Sequence, residues 1–294
     1  MIKSSKIILG TAAFGLKYGY SKNISQIKSR DIKKILNLAD KKGISILDTA
    51  FDYGNSQKKL GNLKISRNKK IISKFPKYIS KNRNLNFLIN IFKKGLKELK
   101  QKKIYGLLIH DYKQLLDNDN LIQFLIYLKK KKLVKKIGVS IYSKNDFYSL
   151  KNFKDKIDIL QIPVNIFDQR FLNPEFLKKI KKRKIEIHAR SIFLKGILLK
   201  DNFSNIPKYF NKWKSNFDKL QKFNKKHNLN NLETCLLFIS RIREIDKFLI
   251  GVKSESQLEQ ILLVSSKKKN YKNISFKKLK INDIGLINPK NWKI

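Results

Sequence analysis

The sequence predicts an α/β protein, a single (β/α)8 TIM barrel occupying residues 1–294. Three observations carry the prediction. Eight short β-rich runs alternate with longer segments of helical period. The runs are apolar enough to be buried on both faces, as parallel strands are. And 294 residues suit a barrel of βα units better than an open doubly wound sheet.

In chain order the runs are KIIL (6–9), ISILD (44–48), KIISK (70–74), IYGLLIH (104–110), KIGVS (136–140), IDILQ (157–161), IEIHA (185–189) and KFLIG (247–251). Helical segments fill the intervals. DIKKILNLADKKG (31–43) ends on Gly43, where a helix C-cap belongs. NFLINIFKKGLKELK, NLIQFLIYLKKKK, PEFLKKIKKR and NLETCLLFISRIRE follow the third, fourth, sixth and seventh runs, and SESQLEQILLV follows the eighth. The interval 197–230, rich in Asn, Lys and Phe, is longer than a connection needs and reads as an excursion over one end of the barrel; 265–294 is a C-terminal tail. No internal repeat, Pro- or Gly-rich linker or low-complexity tail interrupts the series.

Composition bounds the function. With 41% hydrophobic residues the chain can bury a large core. The single cysteine, Cys235, excludes a disulfide framework, and three histidines without cysteines at ligand spacing exclude the common zinc patterns, so no metal is expected. No apolar run reaches the roughly 18–20 residues that span a bilayer. IILGTAAFG after Lys3 and Lys6 loosely resembles a signal peptide but reads better as a strand and glycine turn, so a cytoplasmic location without a membrane partner is expected. The net charge of +45 raises a nucleic-acid role. Yet only eight of the 67 basic residues are arginines, the side chain best suited to bidentate phosphate and base recognition. Lysine is spread along the whole chain, which reads as solvated faces and not as a specific nucleic-acid site.

Chemistry in such a barrel gathers at the C-terminal strand ends. The second run ends on Asp48, the third on Lys74 and the fourth on His110, with Tyr53 in the loop after the second. Each has an ordinary alternative: a cap, a surface lysine, a core histidine, a rim aromatic. Together, at one end of adjacent strands, they form a candidate site. A tyrosine donates a proton more readily when a cation lowers its pKa from about 10. A buried lysine stays charged when a carboxylate pairs with it. A histidine can hydrogen-bond a carbonyl oxygen and fix its approach.

These four residues, in this order, resemble the tetrad of the aldo/keto reductase superfamily. LDTAFDYGNSQKKLG (47–61) resembles the family signature around Asp and Tyr; LLIHD, KKIGVS and FLIGVKSESQLEQI resemble its fourth strand, fifth strand and cofactor-binding close. The likeness runs from about Gly10 to Val264. It implies catalytic roles for Asp48, Tyr53, Lys74 and His110, and a nicotinamide cofactor contacted along Thr11, Ser140, Gln161, Arg190, Ser191, Gly251, Lys253, Ser254, Gln257 and Gln260. Gln161 and Ser140 match the carboxamide contacts, Ser191 the pyrophosphate contact, and Gly251 to Gln260 the adenosine phosphate grip. A strand end, a glycine and a helix N-terminus at Ser254 also make an anion site on physical grounds. Lys253 beside it favours a 2′-phosphate, hence NADPH over NADH. NIFDQR (165–170) and HARSIFLKGILL (188–199) resemble a bacterial branch associated with surface-polysaccharide and sugar metabolism.

Three positions depart from the family pattern. Ile141 stands where an Asn usually follows the serine, Arg190 where an aromatic stacks on the nicotinamide, and Ile261 where an Asn meets the adenine. The expected function is NAD(P)H-dependent reduction of an aldehyde or ketone, of sugar type if the branch likeness holds, with a small-molecule carbonyl substrate as partner. A catalytically slow nicotinamide-binding sensor barrel is the alternative. Specificity is expected from the loops 76–84 and 111–118, the excursion and the tail. Phe51, Tyr112, Phe193, Phe203, Tyr209, Trp213 and Trp292 on or near them suggest an aromatic-lined pocket.

Overall fold

Strands that are apolar on both faces must be covered on both, and a closed parallel barrel wrapped in helices does this. The computed structural model describes residues 2–21, 25–63, 68–77, 83–116, 118–267 and 274–294. Its strands are β1 (Ile7–Gly10), β2 (Ile46–Asp48), β3 (Lys70–Phe75), β4 (Ile104–Ile109), β5 (Val134–Ser140), β6 (Ile159–Pro163), β7 (Glu186–Arg190) and β8 (Lys247–Gly251). All eight pair in parallel with their neighbours, and β8 closes on β1. The N-terminal apolar run is therefore a strand. Several boundaries shift by one or two residues from expectation; at the candidate site, β3 runs one residue beyond Lys74, and β4 stops one residue before His110.

The helices are α1 (Ala12–Gly15), α2 (Ser29–Lys41), α3 (Ser56–Asn62), α4 (Leu85–Leu99), α5 (Asp119–Lys130), α6 (Lys144–Tyr148), α7 (Pro174–Lys182), α8 (Lys214–His227), α9 (Asn231–Ser240), α10 (Glu255–Ser266) and α11 (Ile284–Ile287). Sequence dictates where many begin. The side chains of Asn84, Asn118, Asn173 and Asn230 accept the third backbone N–H of α4, α5, α7 and α9, which satisfies an otherwise orphaned donor. Amphipathic spacing then turns one stripe inward: Ile32, Ile35, Leu36 and Ala39 on α2, and Leu88, Phe92 and Leu99 on α4.

Inside the barrel, Ile8, Ile46, Ile72, Leu108 and Ile159 form one buried layer, the packed plug expected of this architecture. Near the N-terminal ends of the strands, Glu186 takes hydrogen bonds from Lys136 (2.5 Å) and from the ring of His188 (3.2 Å).

The excursion carries two 3₁₀ turns (Leu194–Leu199 and Lys208–Trp213) before α8. It is clasped to the C-terminal tail. Trp213 Nε1 donates to Asp283 Oδ2 (3.0 Å), and Tyr209 Oη donates to the carbonyls of Gly285 (2.9 Å) and Asn291 (3.0 Å). Several aromatics expected to line a pocket are packing residues instead. The ring of Phe51 fills the space over Gly95 of α4 and meets Phe75 edge-on. Phe203 stacks on Phe217 at 4.4 Å, and Trp213 is buried in the clasp. Part of the expected specificity loop at 76–84, Asp117 and residues 268–273 of the tail lie outside the described residues.

Candidate active site

Side chains alternate across a strand, so residues two beyond the buried layer point into the barrel one level higher. From Ile8, Ile46, Ile72, Leu108 and Ile159 this rule gives Gly10, Asp48, Lys74, His110 and Gln161 at the C-terminal end. Register adds the rest: Ser140 pairs with Gln161, which pairs with His188, two before Arg190, and Gly10 pairs with Gly251. Period two and register together thus gather seven of the candidate site residues.

At the centre, Lys74 Nζ donates to Asp48 Oδ1, and both side chains are almost wholly buried. Gln161 Nε2 donates to the other oxygen, Asp48 Oδ2, at 3.0 Å. Lys74 also lies 5.3 Å from the centroid of the Tyr53 ring. Burial drives the Lys74 pKa down and Asp48 draws it back, with a net lowering. The Tyr53 phenol is pushed above the ordinary range, first by burial and then by the charge of Asp48. A lowering of the Tyr53 pKa, expected from the sequence, is therefore not what this arrangement produces: the phenol is held neutral and carries its proton.

Tyr53 is placed by a close backbone contact. Gly54 adopts φ +54°, and a Cβ on Gly15 of α1 would lie 1.8 Å from the Tyr53 carbonyl oxygen. A Cβ on Gly54 would likewise lie 2.5 Å from the Gly15 carbonyl oxygen, so the two glycines pack against each other's backbone where no side chain fits. Thr11 contributes from beneath. Its hydroxyl donates to the Asp48 carbonyl (3.0 Å) and accepts from Ser56 Oγ (2.9 Å), so it braces the end of β2 and its hydroxyl is already engaged.

His110 meets Tyr53 edge-on, with centroids 5.8 Å apart. Its Nδ1 lies 3.1 Å from Asp52 Oδ2, which also accepts the backbone N–H of Lys77 at 2.9 Å. Burial lowers the His110 pKa to about 4, against the opposing pull of Asp52. Burial raises the Asp52 pKa, but the hydrogen bonds from His110 and Lys77 outweigh it and the net shift is downward.

Arg190 reaches across the mouth. Its guanidinium lies 4.1 Å from the centroid of Tyr142 and donates to Ser140 Oγ (3.3 Å), Ser191 Oγ (3.4 Å) and the Ile141 carbonyl (3.1 Å). Lys290 from the tail sits 4.0 Å from the same ring. Burial pushes the Tyr142 phenol up, yet the charges of Arg190, Lys290 and Lys77 hold it below its ordinary value.

The family model for aldo/keto reductases matches residues 6–280. The chain belongs to the aldo/keto reductase family. Solved structures share its fold. An aldo-keto reductase of Bacillus halodurans, in its holo form, is 14% identical over 95% of each chain with a TM-score of 0.68. The glycerol dehydrogenase of Gluconobacter oxydans is 17% identical over 97% of this chain and 92% of that one, also with a TM-score of 0.68. No curated protein sequence matches the chain.

Aldo/keto reductases are oxidoreductases that use nicotinamide cofactors, and one orphaned atom fits such a group. Gln161 Oε1 is buried with no hydrogen-bond partner among the described residues, which suits the N–H of a carboxamide. Ser191 adopts φ +60° directly after β7. At the expected phosphate end, Ser254 caps α10 by accepting the N–H of Gln257 (3.2 Å), and Gln257 Oε1 accepts the N–H of Lys253 (2.8 Å). Gly251, Lys253, Gln257 and Gln260 are exposed there, with open space over Gly251. Ile261 is buried in the core and offers this surface nothing.

Sequence reasoning missed Asp52, Lys77, Tyr142 and Tyr18. Burial and the proximity of Tyr53 raise the pKa of the Tyr18 phenol. Asp52 was legible as a second acid inside the Asp48–Tyr53 motif. The others lie on loops, where no periodicity sets direction. Among the described residues no helix is long and apolar enough to cross a membrane.

Proposed function

We propose that this chain reduces aldehyde or ketone carbonyls with NADPH, Tyr53 serving as the proton donor. The observation that carries the reading is the buried Asp48–Lys74 pair beneath the Tyr53 ring. The cofactor, when bound, supplies a hydride to the carbonyl carbon. The chain does the rest. Tyr53 gives its proton to the carbonyl oxygen as charge develops there, and the Lys74 ammonium offsets the phenolate that remains. Asp48 keeps Lys74 charged and in place. Gln161 Oε1 and Ser140 would hold the cofactor's carboxamide, Arg190 would face its nicotinamide, and Ser191 would take its pyrophosphate. Gly251, Lys253, Ser254, Gln257 and Gln260 form the adenosine phosphate end, where Lys253 favours a 2′-phosphate.

Tyr53→Phe tests this reading. It should lower kcat roughly 10²–10⁴-fold, the usual worth of a positioned proton donor, and leave NADPH affinity unchanged. Near-wild-type turnover would overturn it.

A further inference from the structure

Arg190 is a cation held entirely by neutral groups. Elsewhere in the chain Lys74 pairs with Asp48, and Arg170 with Asp168 through two bonds of 2.8 Å. The Arg190 guanidinium instead meets two hydroxyls, one carbonyl and the face of Tyr142, and no carboxylate forms an ion pair with it among the described residues. Partners of this kind orient a guanidinium without cancelling its charge. An unpaired positive charge is thereby fixed at the mouth of the barrel.

That charge is felt at the reacting centre. Burial and Asp48 raise the Tyr53 phenol, and Arg190 is the next influence on it, pulling the other way. Arg190 also adds to the lowering of Lys74, which burial begins and Asp48 opposes. Register sets the guanidinium beside the carboxamide contacts as well. Its Nε donates to Ser140 Oγ, Ser140 pairs with Gln161, and Arg190 stands two residues beyond His188, the partner of Gln161 on β7. The Ser140 hydroxyl accepts from Arg190 and keeps its own proton to offer, so the two roles are compatible. A carboxamide taken by the free Oε1 of Gln161 is bonded directly to the nicotinamide ring, which therefore shares this strand-end neighbourhood with the guanidinium.

A reduced nicotinamide ring is neutral and an oxidised one is a cation. We infer that Arg190 determines specificity for the oxidation state of the cofactor: held by Tyr142 and Ser140, it makes the chain take up the reduced form in preference to the oxidised one. The inference rests on the nicotinamide reading above and bears on a point which that reading leaves open, the direction in which the site works. Arg190 is half-buried, so its repulsion of a second cation a few ångströms away is only partly screened and corresponds to a preference on the order of tenfold to a hundredfold. The same repulsion opposes the positive charge that appears on the ring in the hydride step and hastens release afterwards. That suits a reductase whose turnover waits on release.

Calorimetric titration of the full-length wild type with NADPH and NADP⁺, and with NADH and NAD⁺ in parallel, gives the ratio of dissociation constants within each pair. Phosphate and adenine contacts are common to both members of a pair and cancel. The Kd of the oxidised form should be the larger, on the order of tenfold to a hundredfold. Arg190→Gln should bring the ratio toward unity, chiefly by tightening the oxidised form. Arg190→Tyr, which restores the aromatic of the family pattern, should do the same and serves if the glutamine variant folds poorly. Arg190→Lys keeps the charge and should keep most of the preference. Tyr142→Leu removes the face that holds the guanidinium and should lower the ratio in part; a ratio unmoved there removes Tyr142 from the arrangement. A merely structural Arg190 would weaken both forms alike in its uncharged variants and leave the ratio where it was, which overturns the inference. A wild-type ratio near one also overturns it while leaving the nicotinamide reading intact. Binding of none of the four cofactors overturns that reading and the inference with it.

Discussion

Gln161 and Asp48, 113 residues apart in the chain, are joined by a 3.0 Å hydrogen bond from Nε2 to Oδ2. The carboxylate is thereby held from both sides, by Lys74 on one oxygen and Gln161 on the other. Gln161→Met should leave Asp48 Oδ2 without its donor in a buried setting, costing about 1–3 kcal/mol of stability. It also removes the free Oε1. Urea denaturation should register the first loss and an NADPH titration the second. A variant with full stability and full affinity would show that neither contact matters.

The Asp48–Lys74 pair should behave as a unit. Removing one partner leaves an uncompensated buried charge, at about 3–5 kcal/mol. Asp48→Asn and Lys74→Met should each be strongly destabilising, and the double variant distinctly less so than the two effects added together. A double-mutant cycle in urea measures the coupling. Activity should be lost in all three.

Acid should weaken the fold in two stages. His110 keeps a folded-state pKa of about 4, below the ordinary 6.5. The unfolded chain takes up that proton first, so the stability present above pH 6.5 is lost as pH falls toward 4. Glu186 is held near 2 instead of 4.5, chiefly by its hydrogen bond with His188 and then by Lys136 against the effect of burial. Its contribution is present above pH 4.5 and is lost as pH falls through about 2. Urea midpoints at pH 7.5, 5 and 3 should show His110→Gln flattening the first window and Glu186→Gln the second.

Gly15→Ala should affect catalysis through geometry. Its methyl would occupy the position of the Tyr53 carbonyl, and relieving the overlap should cost about 1–3 kcal/mol while moving the phenol. Reduced kcat in a folded protein is the expected result; unchanged kcat would mean that the turn carrying Tyr53 tolerates displacement.

Lys253→Glu should weaken NADPH more than NADH. Lys253 is exposed, so the differential should be modest, roughly fivefold. Parallel titrations with both cofactors at low and physiological salt measure it, and equal effects on the two would remove Lys253 from the phosphate site.

Much of this site is legible in the sequence because strands set direction by a fixed rule. Once Ile46 and Ile72 are seen as interior, Asp48 and Lys74 must be interior too, and adjacent strands bring them together. The same rule works for His110, Gln161 and Arg190. It fails where the backbone leaves the strand. Whether Phe51 faces the cleft or α4 depends on the space above Gly95, 44 positions later, and nothing local to Phe51 encodes that. Asp52 and Tyr142 were overlooked for the same reason: a loop side chain acquires its partner only when a distant element arrives. Thr11 was assigned to the cofactor because of its place in the family pattern, and only the assembled barrel reveals its hydroxyl bracing β2.

The clasp between excursion and tail makes the protein its own optical reporter. Both tryptophans belong to it. Trp213 Nε1 is tied to Asp283, and Trp292 Nε1 donates to the Leu286 carbonyl at 2.8 Å, with Lys195, just before the excursion, 5.3 Å from its ring. Intrinsic emission therefore reads the seam where the excursion meets the tail, and a ligand that parts or tightens that seam will change the spectrum without touching either indole.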